Sequence, residues 1–246
     1  MDNYKLIKKI IPQSLFKIIN RFKHNFREAL DYGIISNEKT FEKIYINKIW
    51  GKNENFQYYS GSGSHIHTII NPYVKNIKTF LKTLGKPVII DYGCGDFNVG
   101  KNFINEVKTY YAYDVVDNLI KYNKKKYKFK NLYFKKKDIT KDSIKAVDVI
   151  FVRQVLQHLS NRDIKKFLKN IRKKTRYLVV TEHFPNLKEI NINSNKIKGA
   201  NLRFNSAVVL HKEPFNMKFL FKKEMLKVKA KPDKGYIVTT LYKLHK

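Results

Sequence analysis

The sequence predicts an α/β fold built around a mostly parallel sheet, preceded by a helical extension. Two observations predict it. From Lys86 onward, short runs of apolar, β-branched and aromatic residues alternate with stretches of helical periodicity. Upstream of that point, apolar residues recur at helical spacing among lysines and arginines. Strands that alternate with helices form βαβ units, so we expect helices on both faces of the sheet.

The elements of the alternating region follow in order. The strand-like runs are PVIIDY, TYYAYD, NLYFKKKD, AVDVIFV and RYLVVTEH. The helical stretches between them are VGKNFINEV, DNLIKYNKKKY and NRDIKKFLKNIRKK. After an Asn-rich stretch, two more strand-like runs, EMLKVKAK and GYIVTTLYKL, are joined by Pro232, Asp233, Lys234 and Gly235. This joint is typical of a turn, so we expect the last two strands to form an antiparallel hairpin.

The region before Lys86 is predicted to hold two helices, a loop and a third helix. Pro12 divides residues 1–35 into two helices. Their apolar positions are Leu6, Ile10, Ile11, Leu15, Ile18, Ile19 and Phe22. We expect these to pack on their own domain or on a second subunit; a basic amphipathic helix on a membrane surface is the alternative. Residues 50–65 predict an irregular loop, and a helix is expected from Pro72 to Leu84.

Length and composition indicate one principal domain in the cytoplasm. The 246 residues, 43% of them hydrophobic, suffice for one sizeable core. No run approaches the roughly 18 apolar residues needed to span a bilayer, and lysines interrupt the N-terminus where a signal peptide needs its apolar run. The single cysteine, Cys94, excludes an internal disulfide and a cysteine cluster for zinc.

The formal net charge of +31 limits the possible partners only weakly. Such a charge favours nucleic acid, an anionic membrane surface or a polyanionic substrate. Here the excess is almost all lysine, is dispersed along the chain, and lacks arginine interleaved with aromatic residues. We therefore interpret it as a solvated lysine-rich surface. We expect an anionic small-molecule acceptor and no DNA partner, with RNA as a less favoured partner.

The run VIIDYGCGDFNVG joins a buried strand to a glycine-rich loop. Gly93, Gly95 and Gly100 let the backbone pass close under a ligand, and a following helix offers free N–H groups. Asp91 and Asp96 stand where a diphosphate would lie in a nucleotide-binding loop, and the lysine-serine pair of a P-loop is missing. The loop therefore predicts a positively charged ligand. S-adenosylmethionine (SAM) carries both an ammonium and a sulfonium group.

Two more acidic residues follow the next two predicted strands. Asp114 lies roughly 20 residues beyond the glycine loop, where an acidic side chain accepts hydrogen bonds from ribose hydroxyls. Asp138 is expected to face the adenine amino group, with Ile139 against the ring. Because ligands of open parallel sheets bind at the carboxyl ends of the strands, we expect these carboxylates and Asp91 to share one crevice. A helix cap is the alternative for any one of them, and a dinucleotide-binding dehydrogenase for the set.

DYGCGDFNVG, YAYD, KKKDIT, VDVIFVRQVLQHLS and the terminal strand hairpin together resemble the class I SAM-dependent methyltransferase family over residues 86–246. The resemblance implies a Rossmann-like sheet of seven strands, mostly parallel, with an antiparallel last strand. It implies SAM as cofactor and S-adenosylhomocysteine (SAH) as product, held by Asp91, Gly93, Gly95, Asp114 and Asp138. Residues 1–85 then form the N-terminal helical extension and a loop that covers the cofactor.

A narrower resemblance covers FEKIYINKIWGKNENFQYYSGSGS, RQVLQHLS, and TEHFP followed by NLRFNSAVVLHKEPFNM. These motifs are similar to small bacterial methyltransferases encoded with capsule and other surface-polysaccharide genes. They imply O-methylation of a sugar, of a phosphoramidate or phosphate group, or of a nucleotide-activated precursor. Such proteins often carry an arginine before the SGxGS loop, where this chain has Tyr58 and Tyr59. Hydroxyls and backbone N–H groups then hold the methionine carboxylate, from Ser60, Gly61, Gly63 and Ser64.

Methyl transfer to a hydroxyl needs a group that takes its proton, and histidine is the usual candidate near neutral pH. His183, past the fifth predicted strand with Glu182 beside it, is the predicted base. His158, past the fourth, is the second candidate; a packed residue at the start of a helix is the alternative. Arg153 and Gln154, at the end of the fourth strand, are expected to contact cofactor or acceptor.

Other residues complete the predicted site. Arg203 and His211 are expected to cover the acceptor as part of a lid, with solvated loop residues as the alternative. His65 and His67 have no carboxylate near them in sequence, so we expect acceptor contacts or loop residues and no metal. Cys94 is interpreted as a small residue beneath the cofactor rather than a nucleophile. The predicted cofactor-binding residues are Tyr59, Ser60, Gly61, Gly63, Ser64, Asp91, Gly93, Cys94, Gly95, Asp96, Asn98, Asp114, Val115, Asp138, Ile139, Arg153 and Gln154, and the predicted substrate-binding residues are Tyr58, His65, Glu182 and Arg203.

The sequence thus predicts a SAM-dependent methyltransferase that acts on a precursor of a surface polysaccharide. One alternative is an RNA methyltransferase, which the charge of +31 motivates. Another is a SAM-binding protein that has kept the pocket without turnover. The oligomeric state stays open.

Overall fold

A seven-stranded sheet lies at the centre of the fold. The computed structural model describes residues 12, 15, 19, 22, 26, 28–52, 54, 57–186, 190–230 and 235–245. The strands are β1 (Val88–Tyr92), β2 (Thr109–Asp114), β3 (Leu132–Lys136), β4 (Val147–Arg153), β5 (Thr175–Phe184), β6 (Asn191–Ile192), β7 (Ser206–Ala207), β8 (Phe221–Lys229) and β9 (Tyr236–Lys243). The sheet has the order β3-β2-β1-β4-β5-β9-β8, and β6 pairs with β7 alone. The predicted α/β fold with seven strands is confirmed.

The pairing of the strands creates a crevice beside β1. β1 pairs in parallel with both β2 and β4, so the chain reverses its direction of travel across the sheet at this point. β9 runs antiparallel to β5 and to β8, which confirms the predicted terminal hairpin. Of its predicted turn, Pro232, Asp233 and Lys234 lie outside the described residues. Ligands of open α/β sheets bind where the strand order reverses.

The described helices are α1 (Asn37–Ile46), α2 (His67–Lys82), α3 (Asp117–Lys126) and α4 (Asn161–Ile171), with 3₁₀ helices at Ser62–Ser64, Gly100–Glu106 and Leu156–His158. α1 was not predicted from sequence, and two further helices differ from the prediction. α2 begins upstream of Pro72, because Ile69 and Ile70 are buried and continue the helical register. The stretch after the glycine loop is a 3₁₀ helix, whose first residue, Gly100, packs against Phe97 and Tyr110 without room for a Cβ.

Apolar side chains fill both faces of the sheet. One cluster joins Ile44 of α1 and Phe167 of α4 to strand residues that include Ile90 and Ile150. The other joins Ile77 of α2 to the opposite sides of the same strands. This arrangement holds the carboxyl ends of β1, β2 and β4 in fixed positions, where the candidate site lies.

The N-terminal extension is only partly packed on the domain. Residues 28–32 are helical, and Glu28 and Tyr32 are buried. Leu15, Phe22 and Leu30 are 47%, 74% and 70% exposed, so the described part of the domain leaves these three side chains largely uncovered. The other predicted apolar positions of the extension, Leu6, Ile10, Ile11 and Ile18, lie outside the described residues. Within the described ranges, no helix combines the length and apolarity that crossing a membrane requires.

Candidate active site

A cavity of about 390 Å³ lies at the carboxyl ends of the central strands, and α1 and the loop of residues 60–64 also line it. Its size is that of a small-molecule site. Both predicted base candidates, His158 and His183, line it. So do the predicted cofactor residues Ser60, Gly61, Gly63, Ser64, Asp91, Gly93, Cys94, Gly95, Asp96, Asp114, Val115, Asp138, Ile139, Arg153 and Gln154.

Two buried carboxylates form the floor of the cavity between β1 and β2. Asp91 accepts a hydrogen bond from the Tyr110 hydroxyl at 2.9 Å. Asp114 accepts from the backbone N–H groups of Gly95 and Val116, each at 3.1 Å. Loss of solvation raises the pKa of both Asp91 and Asp114 to about 6. Each carboxylate is therefore held in a place where a cationic or hydrogen-bond-donating ligand would favour its charged form.

The glycine loop adopts a backbone that larger residues resist. Gly93 and Gly95 have φ angles of 75° and 56°. A Cβ on Gly93 would collide with Val155, and one on Gly95 with Ser60 Oγ. Burial raises the pKa of the Cys94 thiol between them, so it stays protonated and is a poor nucleophile.

Asp96 ties the glycine loop to the loop of residues 57–66. Its Oδ2 accepts from the Ser60 N–H at 2.9 Å and from His65 Nε2–H at 2.6 Å. Its Oδ1 accepts from the Asn98 N–H at 3.1 Å, and the Asn98 amide donates to Ser64 O at 2.9 Å. Tyr59 stacks on the His65 ring at 4.3 Å. Tyr59, His65 and Asn98 lie outside the cavity lining, so their geometry favours support of the loop over the predicted ligand contacts.

Arg153, the last residue of β4, reaches the same loop from the sheet. Its Nη2 donates to Gly63 O at 2.6 Å, and its Nη1 donates to Ser64 Oγ at 3.1 Å. The guanidinium lies 4.9 Å from the centre of the Tyr73 ring. Its Nε is buried and has no hydrogen-bond partner among the described residues. A charged side chain thus supports the loop of residues 60–64, and one of its donor groups has no partner among the described residues.

His158 is held as a neutral imidazole. Its Nδ1–H donates to Gly199 O at 3.1 Å, so Nε2 carries the lone pair and accepts from Gln157 Nε2 at 3.2 Å. Loss of solvation lowers the pKa of His158 to about 3. Its lone pair is already engaged, and this geometry favours the packed alternative over a base.

His183 lies within β5 rather than past its end, because pairing with Ile237 of β9 extends the strand to Phe184. Its side chain lines the cavity, and its backbone N–H donates to Gln157 Oε1 at 2.9 Å. Gln157 therefore fixes the positions of both His158 and His183. His183 stays the predicted base.

Glu182 and Arg203 do not line the cavity, contrary to their predicted role as acceptor contacts. Neighbouring residues of a strand face opposite sides, so Glu182 faces away from the site of His183. Its carboxylate accepts from the N–H groups of Leu156 and Gln157 at 3.0 and 2.8 Å, and burial raises its pKa to about 8. Arg203 donates to Leu159 O at 2.6 Å. Both residues hold the segment after β4 in place.

Two further predicted acceptor contacts also lie away from the cavity. His211, the other lid candidate, contacts the Tyr242 hydroxyl at 3.1 Å and Lys222 Nζ at 3.3 Å. Tyr58 packs between Tyr45 and Tyr122. Neither Arg203 nor His211 lines the cavity, so the geometry does not support the predicted lid. Both side chains instead contact other parts of the chain.

Sequence reasoning missed the walls that α1 and the residues after it supply. Phe41 and Tyr45 of α1 and the nearby Trp50 line the cavity. Trp50 Nε1–H donates to Ala200 O at 3.1 Å, and Ala200 itself lines the cavity. Asn37, the first residue of α1, also lines it and donates to Asp138. No helix was predicted from sequence over α1, so the side chains that this helix brings to the cavity were not anticipated.

The charge of the cavity is opposite to that of the chain. The described lining contains four carboxylates and two cations: Asp91, Asp96, Asp114, Asp138, Lys137 and Arg153. The whole chain carries +31. Among the described residues, no group of three or more His, Cys, Asp or Glu side chains is placed to hold a metal ion. The cavity is therefore suited to a ligand that brings positive charge.

Comparison with known proteins agrees with this geometry. Residues 90–176 match the model of a family described as a methyltransferase domain. No curated protein matches the chain. Human N-acetylserotonin methyltransferase, solved in complex with SAM, has a TM-score of 0.58 at 13% identity, with 95% of this chain and 68% of that chain covered.

Two further solved structures share the fold. Magnesium protoporphyrin IX methyltransferase from Synechocystis, with bound SAH, has a TM-score of 0.53 at 10% identity and covers 90% of this chain and 99% of its own. The methyltransferase domain of bacterial CtHen1-CN has a TM-score of 0.52 at 14% identity, covering 71% and 100%. Residues 90–176 are therefore similar to a methyltransferase domain, and the sheet has the Rossmann-like fold of these solved methyltransferases.

Proposed function

We propose that the protein is a SAM-dependent methyltransferase whose cofactor binds in the cavity at the ends of β1, β2 and β3. The observation that carries the proposal is the set of buried carboxylates Asp91, Asp114 and Asp138 in one cavity of a strongly basic protein. Buried carboxylates are costly unless a partner offsets their lost solvation. A ligand with an ammonium, a sulfonium and hydroxyl donors supplies such partners.

The residues present fit the parts of SAM. Asp138 and Ile139 are assigned to adenine, and Asp114 to the ribose hydroxyls. Asp91 and Arg153, which carry opposite charges in the same lining, suit the zwitterionic amino-acid end. The unused Nε–H of Arg153 is a donor for the carboxylate, which gives this arginine a role beyond its contacts with the loop. When bound, SAM supplies an electrophilic methyl carbon.

The acceptor is proposed to be a sugar hydroxyl of a nucleotide-activated precursor for a surface polysaccharide. The resemblance of the chain's motifs to methyltransferases of capsule gene clusters supports this class. The described lining supports a hydroxyl over a phosphate or phosphoramidate group, because its cations, Arg153 and Lys137, accompany Asp91 and Asp138 at the cofactor end. Around His183 the lining is neutral, with Gln157 and Ile237.

His183 is proposed as the base that takes the proton of the acceptor hydroxyl as its oxygen is methylated. Its side chain lines the cavity, and its backbone N–H is fixed by Gln157. A positioned base contributes about 10² to 10⁴ to such a rate. We expect His183→Gln to lower methyl transfer by at least about 100-fold, while SAH affinity changes by less than about twofold.

The test combines binding with turnover. Calorimetry measures the affinity for SAM and SAH, and mass spectrometry detects methylated product from CDP- and GDP-linked sugars. His211→Gln is the matched control, because His211 lies on the far side of β5 and β9 and should leave turnover unchanged. No SAH binding at millimolar concentration refutes the proposal. Binding without transfer to any glycan precursor supports the non-catalytic alternative, and salt-dependent methylation of RNA supports the RNA alternative.

A further inference from the structure

Asn37 lies outside the matched methyltransferase domain but reaches into its cavity. It is the first residue of α1, which begins at a serine cap: Ser36 Oγ accepts from the Lys39 N–H at 3.2 Å. Thr40 Oγ1–H also donates to Ser36 O at 2.9 Å. The capped start of the helix fixes the backbone of Asn37, and only 8% of the residue is exposed.

The contacts of Asn37 define which way its amide faces. Its Nδ2 lies 3.2 and 3.3 Å from the two carboxylate oxygens of Asp138 and 3.3 Å from Thr140 Oγ1. The Thr140 hydroxyl itself donates to Asp138 at 2.7 Å, so it can only accept from Asn37. If the amide were rotated by 180°, Oδ1 would face the Asp138 carboxylate. Two acceptors would then lie against each other with no proton between them. The NH₂ group therefore faces Asp138.

This orientation leaves Asn37 Oδ1 as a buried acceptor without a hydrogen-bond partner in the described part of the chain. Native proteins retain few such atoms, because a buried acceptor that loses water and gains nothing is unfavourable. The residue lines the cavity beside Asp138. Two acceptors, Asn37 Oδ1 and the Asp138 carboxylate, thus meet at the same end, and they match a ligand edge that carries N–H donors.

We propose that Asn37 determines specificity for the cofactor base by accepting a hydrogen bond on Oδ1 from the exocyclic amino group of adenine. The inference rests on the proposed function, since it assigns adenine to this end of the cavity. A 6-amino group has two N–H donors, enough for Asn37 and Asp138 together. A purine with a 6-oxo group places a third acceptor against these two and is rejected.

The test measures the affinities of SAH and of S-inosylhomocysteine, which has an oxygen in place of the amino group. Asn37→Leu keeps similar volume and removes the acceptor. We expect SAH to bind the variant about tenfold more weakly, as is typical for loss of one hydrogen bond at a buried site. S-inosylhomocysteine should bind the variant as well as it binds the wild type, or better, so the preference for SAH over it falls by at least about tenfold.

Asn118→Leu is the matched control. Asn118 Nδ2–H donates to Glu42 Oε1 at 2.9 Å, so this change also removes a contact that holds α1 but lies outside the cavity lining. It should leave both affinities unchanged. Equal loss of both ligands in Asn37→Leu, or an unchanged SAH affinity, overturns the role of Asn37. Failure of SAH to bind the wild type overturns the proposed function instead.

Discussion

The affinity for SAH is predicted to depend on pH through two carboxylates. Burial raises the pKa of Asp91 and Asp114 to about 6 in the unliganded protein. A protonated Asp91 cannot pair with the ligand's ammonium, and a protonated Asp114 is a weaker acceptor for ribose hydroxyls. The perturbation is therefore a shift of the buffer from pH 8 to pH 5.

The expected magnitude follows from these pKa values. With a pKa of about 6, each carboxylate is almost fully ionised at pH 8 and about one-tenth ionised at pH 5. If the ligand binds only the ionised form, protonation of one carboxylate at pH 5 raises the dissociation constant about tenfold. Protonation of both raises the dissociation constant about 100-fold.

Calorimetry at pH 5, 6, 7 and 8 measures this change, and titrations in two buffers of different ionisation enthalpy count the protons released on binding. Asp91→Asn should weaken binding at pH 8 and leave only about a tenfold change with pH. Adenosine lacks the ammonium, so its affinity should follow Asp114 alone and also change about tenfold.

The expected loss of SAH affinity at pH 5 does not come from unfolding caused by protonation of Asp91 and Asp114. Their folded-state pKa lies above the unfolded value of 3.8. The folded state therefore binds more protons between pH 3.8 and about 6, and lowering the pH from 8 to 5 relieves part of their burial penalty. Thermal unfolding at each pH checks that the protein stays folded. A dissociation constant for SAH that is constant within about twofold from pH 5 to pH 8 would refute the reasoning.

Two further predictions concern charged side chains, Arg153 in the cavity lining and Glu28 in the N-terminal extension. Arg153→Met should weaken SAH binding by about 10- to 100-fold, because it removes the Nε–H donor and the contacts with Gly63 and Ser64. The affinity for adenosine, measured by the same calorimetry, should not change. Glu28→Gln breaks the buried 2.8 Å pair with Lys196 and should cost about 3–5 kcal/mol, measured by urea unfolding; a loss under about 1 kcal/mol would contradict it.

The grouping of the carboxylates in one cavity could be predicted from sequence because its information is local. Each carboxylate lies within or just after a short apolar strand, and parallel strands bring their carboxyl ends to one edge of the sheet. Asp91 and Asp114 need no knowledge of distant contacts to be placed there. The glycine loop is local too: Gly93 and Gly95 adopt left-handed backbone angles that the residue type itself anticipates.

Charged residues away from the strand ends of the cavity were harder to assign. Glu182 lies within β5 and Arg203 in the segment before β7, yet their charged groups satisfy backbone groups of the segment after β4. A buried chain segment needs such partners for its N–H and C=O groups. The sequence shows that a charged residue is present but not whether its charged group binds the backbone or a ligand. For this reason, Glu182 and Arg203 were both predicted to contact the acceptor.

The part of the cavity around Trp50, His158 and Ala200, where we propose that the acceptor binds, is built from parts of the chain far apart in sequence. Trp50 holds Ala200 O, and Gly199 exchanges hydrogen bonds with His158 through its N–H and its carbonyl. Glu28 accepts from the Asn201 N–H at 2.9 Å, which ties the same segment to the N-terminal extension.

Of these residues, only His158 lies in the matched range of 90–176. The matched range therefore contains the carboxylates that we assign to SAM, whereas segments outside it shape the space beside them. A match to this range alone gives no information about that space. It also predicts that changes of acceptor among related chains concentrate around Trp50 and residues 199–202, while the strand ends that hold the carboxylates stay the same.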